Sequence, residues 1–262
     1  MLVLLPPSET KTSPQPGKPL DLATLSFPEI TATREQILAA LIDLARRYPA
    51  KSLEILGISA RQSDEVARNA ELDVSPTAAA GRVYTGVLYD SLDVATLNAA
   101  ALRRANKTLI VSSALFGAVR FGDRIPAYRL SGDTTLPGIG TITGVWRDPL
   151  ALAMSTAARS GLIVDLRSGT YASMWKATGE VADRTVTVRV LQQMPDGSRK
   201  VVSHFNKATK GRLVRRWLID GVSARDADEL AHSCESEGIV AELAASPKRG
   251  KPRLLDVVVS DL

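Results

Sequence analysis

Apolar residues arrive along this chain in two rhythms, as short unbroken runs and as helical repeats. The run at 2–5 reads as a buried strand, the continuous run at 108–112 as a strand covered on both faces, and 162–166 as another strand. The first stops at Pro6-Pro7 and opens onto Ser8-Glu9-Thr10-Lys11, a loop with charges and hydroxyls at its tip. After a Pro-rich polar stretch at 12–28, Ile37, Leu38, Leu41, Ile42 and Ala45 recur at helical spacing, and Thr33 with Gln36 makes a capping-box pattern. Pro49 interrupts this helix. A short helix at 53–56 then reaches Gly57-Ile58, and Ser59 with Gln62 starts another that carries Arg61, Val66, Ala67 and Leu72.

Further on, the pattern predicts a helix over 94–105, an extended segment over 124–130 and a helix entered through Asp148-Pro149. Alternation at 185–193 and 199–205 around Pro195-Asp196-Gly197-Ser198 predicts a hairpin, because Asp-Gly tolerates the dihedrals of a tight turn. A basic helix, an acidic helix over 224–237 and a strand pair separated by 247–252 complete the chain. No repeat or low-complexity linker divides it. The expectation is one α/β (α+β) domain over 1–262 with a mixed sheet.

Composition fits a folded globular protein. The 262 residues are 45% hydrophobic, enough for a sizeable core, and the net charge of +5 favours anionic partners without an extreme basic tail. A lone cysteine, Cys234, closes no internal disulfide and suits a reducing cytoplasm, and the N-terminal apolar run is too short for a signal or a membrane span. A cytoplasmic protein with no membrane partner is expected.

The densest charge lies in 207–216, where Lys207, Lys210, Arg212, Arg215 and Arg216 make five of ten residues cationic. On a helix Leu213 and Trp217 turn inward, and the cations either bind phosphates or face water. If DNA is the ligand, Gly57, Ile58 and Ser59 form a turn between helices that offers backbone N–H groups to a phosphate, flanked by Arg61. An ordinary pair of packed helices with a Gly cap reads equally well. The 136–140 segment, with Gly138 and Gly140, follows an extended stretch and reads as a loop. Phosphate contacts fix position rather than read bases, so duplex or structured DNA with weak sequence preference is the expected partner.

A second reading is enzymatic. Ser8, Glu9, Lys11, Asp123, Tyr128, Arg129, Asp165, Arg167, Ser168, Tyr171 and His204 fall at strand ends or in the loops after them, where α/β folds gather ligand sites. Carboxylates for acid–base work and cations for phosphate suit a nucleotide- or phosphate-metabolite-dependent enzyme, centred on Glu9, Asp165, Arg167 and His204. The same charges also suit structural ion pairs. His232, Cys234, Glu235 and Glu237 are near one another but point in different directions on a helix, so no metal site and no cofactor is assigned.

In order along the chain stand Leu-Leu-Pro-Pro-Ser-Glu-Thr-Lys at 4–11, Tyr84-Thr85-Gly86, Leu115-Phe116-Gly117, Ile-Pro-Ala-Tyr-Arg-Leu at 125–130, Asp165-Leu166-Arg167-Ser168 and the 204–211 segment. Through this ordered set the chain resembles the YaaA family of peroxide-stress proteins, in its Pro-Pro-Ser-Glu branch, over essentially its whole length. The resemblance implies protection from hydrogen peroxide through restraint of free intracellular iron. It also implies DNA binding through a helix-hairpin-helix element and a positively charged cleft. Other members carry a lysine near the position of Glu9, so the loop charge is reversed here, with Lys11 the nearest substitute.

Overall fold

The computed structural model describes residues 1–194, 196–201, 203–235, 239–245 and 247–259, with the side chains of 203–205 outside the description. The main sheet takes β1 (Leu2–Leu5), β2 (Leu109–Ser113), β3 (Gly117–Arg120), β4 (Ile163–Asp165), β5 (Thr185–Gln193), β6 (Arg199–Lys200), β7 (Val240–Leu243) and β8 (Arg253–Val259). Its order is β7-β8-β5-β4-β1-β2-β3, with β6 added to β5. The five strands from β8 to β2 run parallel, while β7, β3 and β6 pair antiparallel.

Burial explains the apolar runs. Every residue of β1 and β2 is buried, because helices cover both faces of a parallel sheet. Toward the edge the covering thins and β5 exposes Arg189, which forms an ion pair at 2.7 Å with Asp256, its register partner on β8.

The helix Thr31–Arg47 begins after the turn Pro28–Ile30, so Thr33 lies inside it rather than capping it. Arg34, in its first turns, is fully buried. Its Nε donates to Phe116 O at 3.0 Å and its Nη2 to Ser26 O at 2.7 Å and Ala118 O at 2.8 Å, tying the helix to the β2–β3 corner.

Next come the helices Pro49–Leu56 and Ser63–Ala70, joined through Gly57 in the left-handed region (φ 62°). Ser59 N donates to Gln62 Oε1 at 3.3 Å, as the pattern predicted, and a 3-10 turn Ala60–Gln62 leads into the second helix. The 136–140 segment is the turn of a small ribbon pairing Thr135–Leu136 with Gly140–Thr141.

Three further expectations are corrected. The 124–130 segment is a strand only over Arg124–Ile125, and the 94–105 helix is a 3-10 turn Val94–Thr96 followed by Ala99–Thr108, capped by Asn98. The second arm of the hairpin stops at Lys200, since the helix Ser203–Asp220 takes over the residues that alternation assigned to a strand. Tertiary packing decides this. The helix lies on Val87–Leu92 and buries Ala208, Leu213, Val214, Trp217 and Leu218.

Candidate functional site

The sheet itself selects a position. The chain leaves β1 for β2 on one side and leaves β4 for β5 on the other, so the carboxyl ends of β1 and β4 flank a topological switch point. Parallel sheets open a crevice there because the two connections diverge. A cleft of about 560 Å³ lies at this point. Pro6 to Thr10 follow β1 into it, and Leu166 to Gly169 follow β4. The opposite wall comes from Thr85 to Tyr89 and from Asn206, Lys207 and Lys210 of the Ser203–Asp220 helix.

The loop after β1 is held by its own groups. Ser8 Oγ donates to Thr10 O at 2.6 Å and accepts from Thr85 N at 3.0 Å, which fastens the loop to the segment that opens the Val87–Leu92 helix. Lys11 Nζ donates to Ser8 O at 2.8 Å and Glu9 O at 3.3 Å. It also sits 4.2 Å from the Tyr128 ring centroid and 5.5 Å from that of Tyr84. Burial lowers the Lys11 pKa to about 7, with Glu9 opposing the shift and Arg129 adding to it. Glu9 itself pairs with Arg129 at 3.0 Å. Arg129 is positioned by buried Asn69, which donates to its carbonyl at 2.7 Å and accepts from its N–H at 2.9 Å.

Beneath the loop, the Tyr84 and Tyr128 hydroxyls are 3.0 Å apart, and Tyr128 is 2.8 Å from Ser113 Oγ at the end of β2. Tyr89 donates to Pro6 O at 2.7 Å and stacks on Tyr84. Burial raises the pKa of Tyr84 to about 12 and pushes Tyr89, Tyr128 and Tyr171 up as well, the last with help from Glu9. These phenols are neutral spacers that support the loop.

On the β4 side, Arg167 makes a bidentate pair with Asp165 at 2.9 and 2.8 Å and donates to Tyr171 O and Trp175 O. Its side chain is only 4% exposed. Both charges are therefore committed to holding the loop that carries Ser168 and Tyr171 into the cleft, the structural alternative raised by the sequence. Asp123 is not among the cleft residues. It accepts from Ser26 N, Ser26 Oγ and Arg120 N near buried Arg34. The His204 side chain lies outside the described residues.

The basic helix divides its cations. Lys210 is 8% exposed, lines the cleft and donates to Leu166 O at 3.1 Å. Burial lowers its pKa to about 8, with Asp165 opposing. Lys207 stands exposed at the rim. Arg215 donates to Leu92 O, Asp93 O and Thr96 Oγ1, tying its helix to the end of Val87–Leu92, and Arg216 pairs with Asp220. Arg212 is exposed. At the other predicted site Ile58 is buried, Arg61 is exposed, and the space a Gly57 side chain would occupy is open.

Sequence reasoning left Asn206, Thr85 and Gly86 unassigned, although all three border the cleft. Asn206 stands one helical turn before Lys210, and its Oδ1 is buried without a hydrogen-bond partner. That spacing was the available signal. Among the described residues no group of three or more His, Cys, Asp or Glu is arranged to hold a metal ion, and no helix is long and apolar enough to cross a membrane. Of the weighed metal residues, Cys234 is buried, His232 faces Glu235 at 3.9 Å, and Glu237 lies outside the described residues.

Comparison with known proteins gives the family. The chain is 49% identical to a UPF0246 protein of Streptomyces coelicolor over 100% of both chains. It is 45% identical to a UPF0246 protein of Corynebacterium efficiens, over 99% of this chain and 100% of that one. A UPF0246 protein of Shewanella piezotolerans is 29% identical over 87% of this chain and 89% of its own. Residues 1–238 match the family model described as peroxide stress protein YaaA. With that match spanning both walls of the cleft, the chain belongs to the peroxide stress protein YaaA family.

Proposed function

We propose that this protein works in the cytoplasm in defence against peroxide by binding a small phosphate- or carboxylate-bearing metabolite in the cleft between β1 and β4, and that restraint of free iron follows from this binding. The observation that carries the reading is Lys210, a nearly buried ammonium on the wall of a switch-point crevice, with Lys207 one turn before it at the rim. A buried charge without a carboxylate partner is costly, and a bound anion relieves that cost. Asp165, the acid nearest in effect, is already taken by Arg167. A nucleotide- or phosphate-dependent reaction is the enzymatic form of this reading, with Glu9 as the exposed carboxylate beside the cleft.

A thermal-shift series with inorganic phosphate, sugar phosphates and nucleotides tests it. A ligand at 100 times its Kd stabilises by about 2.7 kcal/mol, which raises Tm by roughly 5–10 °C in a chain of this size. Lys207→Ala is expected to weaken binding about tenfold or more, the worth of one charge-assisted contact, while leaving the unliganded Tm unchanged. No shift with any of these anions would overturn the reading.

A second reading, duplex-DNA binding through a helix-hairpin-helix, is favoured by one feature: the Gly57 turn is left-handed, open and followed by exposed Arg61. Asp64 and Glu65 in the next turn oppose a phosphate there, which ranks it second. If DNA binds at this turn, Arg61→Ala lowers the salt slope of log affinity by about 0.9. An unchanged slope removes the turn from the DNA surface.

A further inference from the structure

The Lys210 amine has properties that anion binding alone does not require. It is 8% exposed, and its hydrogen bond to Leu166 O uses a single donor. Pro6, Leu88, Tyr89 and Leu166 line the same cleft with apolar surface, together with Lys207 and Ser168. A lysine desolvated in such a setting holds a larger neutral, nucleophilic fraction near neutral pH than a solvated lysine does. The lowered pKa of Lys210 agrees with this geometry.

We infer that the ligand of this cleft is an aldehyde or ketone carrying a phosphate or carboxylate, and that Lys210 holds it as an imine while Lys207 pairs with its anionic group. This rests on the anion-binding reading above and adds a covalent step. The neutral Nζ attacks the carbonyl carbon, the C=O π pair moves to oxygen, and proton transfer from nitrogen gives a carbinolamine. Loss of its hydroxyl with a proton, as water, leaves the C=N bond. No electrons are gained or lost overall. The protonated imine keeps a positive charge within the field of Asp165, whose carboxylate already opposes loss of charge from this nitrogen.

Lys11 is the competing amine, with a pKa near 7. It is not a cleft residue, its donors reach Ser8 O and Glu9 O, and the Tyr128 ring covers it. Geometry therefore selects Lys210.

The test uses the full-length protein with two probes, pyridoxal 5′-phosphate and glyoxylate, in the presence of cyanoborohydride, which converts an imine into a stable amine. Intact mass and peptide mapping then locate the adduct. A single adduct on Lys210 is expected, forming about tenfold or more faster than on solvated lysines because more of the amine is neutral. Inorganic phosphate should slow it, Lys207→Ala should slow it without moving it, and Lys210→Arg, checked for folding by circular dichroism, should abolish it. Adducts spread over surface lysines, or centred on Lys11, would overturn the inference. Protection by phosphate in the thermal series without any Lys210 adduct would sink the imine and leave the anion site standing. Failure of both would remove the site itself.

Discussion

Gly211→Ala will destabilise this protein by at least about 2–3 kcal/mol, although the same change in a free helix interior stabilises by about 1 kcal/mol. The sign reverses because Gly211 lies where the Ser203–Asp220 helix crosses Val87–Leu92. A Cβ built there falls 2.2 Å from Leu88 O and 2.8 Å from Ser91 Cβ. Neither neighbour yields easily, since one is helix backbone and Arg215 ties the two helices together a turn further on. These helices also form one wall of the cleft, through Val87, Leu88, Asn206 and Lys210, so the variant is expected to widen the cleft as well as weaken the fold. Urea denaturation of Gly211→Ala beside Lys207→Ala, an exposed substitution in the same helix, provides the measurement. A stabilised Gly211→Ala would mean that the helices are not in this close contact.

The second large effect is a rise in stability on the alkaline side of neutrality. Lys11 and Lys210 have folded pKa values of about 7 and about 8, below the unfolded lysine value of about 10.4. Between these limits the unfolded chain binds protons that the folded chain has released, so unfolding free energy increases with pH. Each lysine adds up to about 1.4 kcal/mol per pH unit where its protonation differs fully. Lys11 keeps some exposure and should fall short of that.

Above about pH 10 the sign turns. Tyr84, Tyr89, Tyr128 and Tyr171 stay protonated in the fold after their unfolded counterparts ionise. Denaturation curves from pH 6 to 11 should trace a maximum near pH 9–10, and Lys11→Met/Lys210→Met should flatten the rising side. A stability that falls steadily from pH 7 to 9 would show that neither ammonium is held at a cost.

The parts of the fold legible in the sequence were those governed by local pattern. Residues 2–5 and 108–112 read as buried strands from their apolar runs, and 162–166 as another strand although Asp165 stands within it; they became β1, β2 and β4, which define the switch point. Ser8, Glu9, Ser168 and Tyr171 followed as cleft residues because they lie just beyond strand ends. What local pattern could not convey was packing between distant segments. Arg199 to Phe205 alternates like a strand, yet 203–205 joins a helix whose stability comes from its seat on Val87–Leu92. By pattern Lys210 and Arg215 are cations on two flanks of one basic helix, each open to phosphate or to water. The fold buries the first in the cleft and turns the second onto the carbonyls of another helix. Arg167 likewise offered a phosphate ligand by type, but its donors close on Asp165, Tyr171 and Trp175.

The central claim, that the switch-point cleft is an anion site built on Lys207 and Lys210, is tested most directly by crystals soaked with tungstate, a heavy phosphate mimic located by anomalous scattering. The account predicts the strongest peak inside the cleft, within hydrogen-bond reach of both ammonium groups, and its loss in Lys207→Ala/Lys210→Met. Peaks confined to the Gly57–Arg61 turn or to scattered surface arginines, with the cleft empty, would contradict it.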